Sequence, residues 1–352
     1  MKNRVIGIAA LVLMAGGPCL AQSGGSGGVK IPSPGTQPRD PSPTVSTDNR
    51  VDLRPKFERG QEIKFKLEVN NVSTAPPDTS DPLDDPADAK PANRPGSRPP
   101  PATTPRTKPN QNNSRPETTK SKIEFGMTLK VKDVDEARNA TVDLIFTTVK
   151  VSIDGPQMKE EFDSTRPRPR KADDVDVIGT VLAPLVGSTF TMKIDRAGNI
   201  SSVTGGDGFA MLGQVVPGTG GAGSMPQVFG PIFTTRKGDG FARVGESWEN
   251  DDKLDSGLMG DFKMATRHTL SGVSGGVATV NIVGRIAPQT QAPGATTFQL
   301  KDSSYGGKYL WDTKAGMLRQ MDTKMSVKVE HKLKDQPTEV TNETTTKLTR
   351  VN

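Results

Sequence analysis

The chain has 352 residues, of which 32% are apolar and 5% aromatic, with 46 lysines and arginines against 40 aspartates and glutamates. The basic residues are scattered among acidic ones and only two tyrosines and two tryptophans are present, which argues against a nucleic-acid binding face. A single cysteine, Cys19, and two histidines argue against a disulfide framework, a thiol nucleophile and a dedicated zinc or haem site, so no cofactor is expected.

The N-terminus carries an export signal. Lys2 and Arg4 supply a positive start, Val5 to Gly17 an apolar run, and Cys19-Leu20-Ala21 the small residues that a signal peptidase reads. Residues 1–21 are therefore expected to be cleaved, taking the only cysteine with them and placing the mature protein in the periplasm, at the cell surface or in the medium. The run is too short to span a bilayer and no second one follows, so no transmembrane anchor is expected after cleavage. Pro18 stands where a lipobox needs a small residue, which favours soluble release over lipidation at Cys19. Residues 22–50 read as a disordered leader rich in Gly, Ser and Pro.

Residues 51–352 read as one β-rich domain. Ile63, Phe65, Leu67 and Val69 alternate with polar residues, and so do Ile123, Phe125, Met127, Leu129 and Val131. Between these strands lies a Pro-rich tract, residues 73–121, read as a disordered insertion in a strand-to-strand connection. Val142, Leu144 and Phe146 continue the alternation, which slips phase at Thr147-Thr148 as a β-bulge would and resumes at Val149. A charged loop is expected over residues 156–173, then a short helix from Val175 to Val186. Phe190 to Ile194 and Ile200 to Val203 flank an Asp195–Gly198 hairpin turn. Residues 204–240 are Gly-rich with two apolar islands, consistent with two short helices or an irregular lid.

Strands resume at Gly245-Glu246 through Trp248. Phe262, Met264, His268 and Leu270 share one phase, and Val280, Ile282 and Ile286 another, with a Gly275-Gly276 turn between them. Phe298 and Leu300 suggest a short strand; Tyr309 and Trp311 lead into an Asp312–Gly316 turn, and Met321 to Leu333 form a long strand. The Thr-rich tail from Val340 to Val351 is polar on both faces and reads as an edge strand. The two halves fit one plan, from a Gly-then-Glu strand start to an Asp-to-Gly turn. Any antiparallel meander generates similar spacing, however, and no extended identity links the halves.

Motifs for chemistry fail on context. Gly272-Val273-Ser274-Gly275-Gly276 matches a nucleophile elbow but lies between two amphipathic strands, where a hairpin turn is expected. Gly218 to Gly223 matches a dinucleotide fingerprint, yet Pro217 and Pro226 interrupt the required strand and helix. The pairs Asp173-Asp174 and Asp251-Asp252 sit in polar surroundings and read as solvated loop charges. What remains is phase: His268 with Met264, and His331 with Met325, fall on apolar strand faces. These four are the candidate ligand-lining residues if that face encloses a cavity, and partly buried histidines bonded to backbone if it does not.

The segments Phe57 to Val69, Ser188 to Val203, Gly245 to Trp248 and Tyr309 to Met325 resemble secreted bacterial domains of unknown function. Their strand pattern is also similar to the half-open barrels of periplasmic lipoprotein carriers, a resemblance that implies a concave apolar face holding lipid. The expected fold is mainly β: a large curved antiparallel sheet or open barrel with one to three short helices and long disordered insertions. The expected role is a non-enzymatic envelope module for structure or protein interaction; the sequence names no partner, the candidates being an envelope protein or lipid. The alternative is an apolar-ligand or lipid binder using the concave face.

Overall fold

A computed structural model of the chain describes residues 50–76, 116–156, 158–166, 177–205, 225–236, 239–255, 261–290, 298–333 and 336–351. Its elements are β1 (Val51–Asp52), β2 (Glu62–Ala75), β3 (Glu117–Val134), β4 (Ala140–Gly155), β5 (Met158–Asp163), α1 (Val177–Leu182), a 3-10 turn (Ala183–Leu185), β6 (Thr189–Ile194), β7 (Ile200–Gly205) and α2 (Met225–Phe233). There follow β8 (Phe241–Ala242), β9 (Ser247–Asp255), β10 (Asp261–Ser274), β11 (Val277–Thr290), β12 (Phe298–Asp312), β13 (Met317–Leu333) and β14 (Gln336–Val351). Twelve strands form one antiparallel, unclosed sheet in the order β7-β6-β4-β3-β2-β14-β13-β12-β11-β10-β9, with β5 added to β4. β1 and β8 make a separate two-stranded pair.

The alternating residues divide the sheet into two faces. On the inner face Phe65, Leu129, Val142, Phe146, Phe190, Ile282 and Trp311 are buried. On the outer face charges pair across strands, as in Lys66–Glu124, Lys150–Asp163, Lys324–Glu343 and Lys328–Glu339, at 3.2, 3.0, 3.0 and 2.8 Å. Exposed pairs of this kind are each worth about 0–1 kcal/mol, so apolar burial on the inner face holds the fold. The sheet curls around α2, which lies against both β7 and β13, six places apart in the strand order.

The phase slip at Thr147 is a bulge: Gly126 pairs with Thr148 and Met127 with Phe146, leaving Thr147 unmatched. Three expectations need correction. The charged loop contains a strand, β5, which its Lys and Glu content concealed. Phe298 to Trp311 lie in one strand of 15 residues, whose alternation is broken by Gly306-Gly307. The Thr-rich tail is not an edge but the centre, since β14 pairs with β13 on one side and β2 on the other. Threonine serves there because its branched body packs on a pleat while its hydroxyl makes the face look polar in sequence. Both ends of the Pro-rich tract are strand, with β2 running to Ala75 and β3 starting at Glu117. Residues 77–115 of that tract, residues 22–49 of the leader, the signal segment, Asp173-Asp174 and Gly218 to Gly223 lie outside the described residues.

The two halves are a tandem repeat, and strand register shows it. β2, β3, β4, β6 and β7 correspond to β9, β10, β11, β12 and β13, both sets running the same way across the sheet. Gly60 N–H donates to Val131 O and Val131 N–H to Gln61 O; Gly245 and Leu270 repeat this, with Leu270 N–H donating to Glu246 O. A bulge follows Val131 in β3 and Leu270 in β10. A second bulge lies between Lys193 and Ile194, and again between Leu310 and Trp311. Aligned this way, Ala140-Thr141-Val142-Asp143-Leu144-Ile145 falls on Ala278-Thr279-Val280-Asn281-Ile282-Val283. This short similarity, with three of six residues identical, is set at the same register against the next strand: Ala140 opposite Ile194, and Ala278 opposite Trp311.

One end of the sheet is capped. There the hairpins are tight, and the segments around α2 and β1 lie across them. Phe229 of α2 meets Phe146 edge-on at 6.0 Å, and Phe233 lies 6.0 Å from Phe57. The corresponding turns of the two repeats receive these segments. Gly198 (φ +90°) has the Phe233 carbonyl where a Cβ would stand, and Gly316 (φ +57°) has the Arg54 carbonyl and Lys56 amide there. Only glycine allows both that φ and that approach.

Candidate functional site

The inner face carries a polar belt across eight strands. Along one row of paired positions run Ser121, Asn71, Thr344, Met325, Tyr305, Gly284, Thr266 and Asn250. The neighbouring row adds Thr346, Thr323 and His268. All of these except Gly284 are buried. Thr344 Oγ1 donates to Asn71 Oδ1 at 3.0 Å. Asn71 Nδ2, Ser121 Oγ, Thr323 Oγ1, Thr346 Oγ1, Trp311 Nε1 and Asn250 Oδ1 have no hydrogen-bond partner among the described residues. The belt contains no carboxylate, ammonium or guanidinium, so its chemistry is that of neutral hydroxyl, amide and ring N–H groups.

His268 sits at the β9 end of the belt. It is fully buried, with Nε2 3.0 Å from Thr266 Oγ1 and 3.4 Å from Asn250 Nδ2. Its ring stacks on Trp248 at 5.8 Å and meets Tyr309 edge-on at 5.9 Å. Trp248 Nε1 donates to the Thr235 carbonyl at 2.9 Å, fixing β9 against the chain that leaves α2. Thr266 Oγ1 also lies 3.3 Å from the Asn250 carbonyl.

Register gives this cluster its meaning. Ile63, Phe65, Met127 and Leu129 of the first repeat correspond to Trp248, Asn250, Thr266 and His268 of the second. An aliphatic and aromatic patch has become polar in the one repeat where it borders an open sheet edge. Sequence reasoning singled out His268 by its phase but missed Asn250 and Thr266. The cross-repeat alignment is the signal that exposes them.

Met264 and Met325 are buried on the same inner face as His268, Met325 in the belt row and Met264 two residues beyond Thr266. They are not neighbours of one another, because β10 and β13 are separated by β11 and β12. The backbone of His331 pairs with Phe298 and Thr338 near the end of β13; its side chain lies outside the described residues. The clearest described grooves are polar and at the surface. One of about 460 Å³ is lined by Gln61 to Lys64, Arg350 and Val351; one of about 260 Å³ lies among Arg50, Arg236, Asp239, Phe241, Arg243 and Glu246. Neither reaches the methionines or His268. The Gly272–Gly276 motif is the β10–β11 hairpin turn. Asp251, expected in a loop, lies on β9 and pairs with Lys263 at 2.8 Å. Among the described residues no cluster of three or more His, Cys, Asp or Glu is arranged to hold a metal ion. No described helix is long and apolar enough to cross a membrane, which says nothing of strands.

Comparison with known proteins places part of the chain. Residues 137–215, from the β3–β4 turn past β7, match a family model described as a family of unknown function (DUF6263). No curated protein matches the sequence. Among solved structures the chain is similar to one titled "Lipid-protein interactions in lipovitellin", with TM-score 0.43 and 9% identity. That match covers 84% of this chain but only 26% of the lipovitellin chain.

Proposed function

We propose that the chain is an exported, non-enzymatic module that acts by contact with another polypeptide, not through a ligand chamber or a catalytic cleft. The observation that supports this is the filled inner face. Phe65, Phe146, Phe190, Phe229, Tyr309 and Trp311 are fully buried there, so a partner meets only the outer face and the edges. His268, the one histidine whose side chain is described, has no exposed surface from which to exchange a proton with a substrate. A lipid carrier needs an apolar chamber of several hundred Å³, whereas the described grooves are polar and superficial. Export rests on Lys2, Arg4 and the apolar run that follows them.

The test is native mass spectrometry, with lipid extraction and chemical cross-linking, on the mature protein recovered from its own envelope. A polypeptide cross-linked to the sheet, without stoichiometric lipid, is the expected result. A lipid retained at one per chain would overturn this reading in favour of the carrier.

A further inference from the structure

Among the described residues β7 and β9 are the open edges of the sheet, and they differ in one respect from ordinary edges. The path from β7 to β9 contains eleven strands, each antiparallel to the next, so β7 and β9 run in the same direction. They cannot pair antiparallel with each other, whereas a strand running the opposite way is antiparallel to each of them. The repeat supplies the precedent. β7 corresponds to β13 and β9 to β2, and β14 lies antiparallel between β13 and β2. We propose that the edges of β7 and β9 form a receptor for a single extended strand of a partner protein, bound at the place equivalent to that of β14. This deepens the reading of the chain as an interaction module and rests on it.

The edges specify the chemistry of that strand. Leu270 N–H donates to the Glu246 carbonyl, which makes 246/270 a hydrogen-bonded pair and, by alternation, 248/268 and 250/266 as well. Glu249 and Asp251 therefore turn their backbone N–H and C=O away from β10, toward the open side. Beside them, Asn250 Oδ1 is buried on the inner face of the edge strand without a partner among the described residues. An inward hydroxyl on an incoming strand would satisfy it, as Thr344 satisfies Asn71 across β2 and β14. The outward Glu249 and Asp251 already pair with Arg267 and Lys263 of β10 at 2.9 and 2.8 Å, so the backbone groups and Asn250, not charge, set what the edge accepts. The occupant is thus a strand of another polypeptide with Thr or Ser facing inward, as Thr344 and Thr346 face inward on β14, and without proline where its N–H must pair.

The experiment uses the full mature chain and, as probe, a synthetic peptide with the sequence of residues 340–351. Hydrogen exchange is followed at the amides of Glu249 and Asp251. Fast exchange in the protein alone, slowed about tenfold or more by millimolar peptide, is expected. Glu249→Pro and Asp251→Pro remove one open-side N–H each while sparing the β9–β10 ladder. Either variant that keeps the parent circular dichroism should lose the peptide effect. Slow exchange in the protein alone would mean that the chain occupies its own edge, and would overturn the proposal. So would fast exchange that the peptide leaves unchanged. A native partner cross-linked only to other parts of the sheet would overturn it too, while leaving the broader function intact.

Discussion

At the scale of single residues, two threonines on β14 separate the belt's paired groups from its unpaired ones. Thr344 donates to Asn71, whereas Thr346, two residues on and also buried, has a hydroxyl without a partner among the described residues. A buried unmade hydrogen bond costs about 1–3 kcal/mol, so the isosteric Thr346→Val should stabilise the protein by about 1 kcal/mol. Thr344→Val should destabilise it by about 1–3 kcal/mol, because it strands Asn71 Oδ1. Urea titrations of the two variants check this, and equal signs would refute it. Asp163 offers a pH-dependent test on the outer face. Bonds from the Thr165 hydroxyl and Lys150, then from the Thr165 amide, bring its pKa down to about 2 from an ordinary 3.8. A carboxylate lowered in the folded state binds fewer protons there than when unfolded, so its contribution is present above the unfolded pKa. That contribution is lost as pH falls from about 4 toward 2. Asp163→Asn should therefore flatten the acid limb of the stability curve in that window and leave its neutral shape unchanged. An unaltered acid limb would count against it.

At the scale of elements, the same turn occurs twice with different residues at its strained position. Asp135 to Asn139 and Asp195 to Asn199 each bond the aspartate carboxylate to the amide and side chain of the asparagine four residues later. The fourth residue has positive φ in both, +66° at Arg138 and +90° at Gly198. Arg138 is exposed and bears the Cβ penalty that glycine escapes, so Arg138→Gly should raise stability by about 0.5–1 kcal/mol after the added unfolded-state entropy. A fall in melting temperature would refute this. The turn also shows what could be read without coordinates. The Asp195–Gly198 hairpin was legible because glycine advertises positive φ, while Asp135–Asn139 was not, because arginine does not. Period-two alternation located β2, β3, β4, β10, β11 and β13, and even the Thr147 bulge. It failed on β5, whose residues are mostly charged, and on the rank of β14. A strand's place in a sheet depends on what lies beside it, and the Val340–Val351 segment does not encode that locally. His268, Met264 and Met325 were placed on the correct face by phase. Asn250 was invisible, since an asparagine among Glu249, Asp251 and Asp252 carries no apolar signal.

At the scale of the whole molecule, the repeat and the central position of β14 together set an order of folding. Each half is a meander whose strand pairs are close in sequence, such as β3–β4 through a five-residue turn and β10–β11 through Gly275-Gly276. The two meanders join in the sheet only through β14, which pairs Val351 with Lys64 and Thr341 with Thr74. That ladder brings the first long strand of the chain to the last. The loop-closure entropy of such distant contacts is met before any of their stabilisation returns, so contacts of this kind form late and fold slowly. In pulsed hydrogen exchange during refolding, the amides of β10 and β11 should become protected in an early phase. Those that link β14 to β2 should follow in a slower one. The two phases should merge if the first repeat is preassembled by adding β14 as a covalent strand directly ahead of β2, with the native tail removed. Such a permutation is feasible because β14 ends beside the start of β2. Simultaneous protection in the natural chain, or protection of β14 against β2 before β10 against β11, would show that the repeats do not fold as units. The sheet would then be assembled from its centre outward.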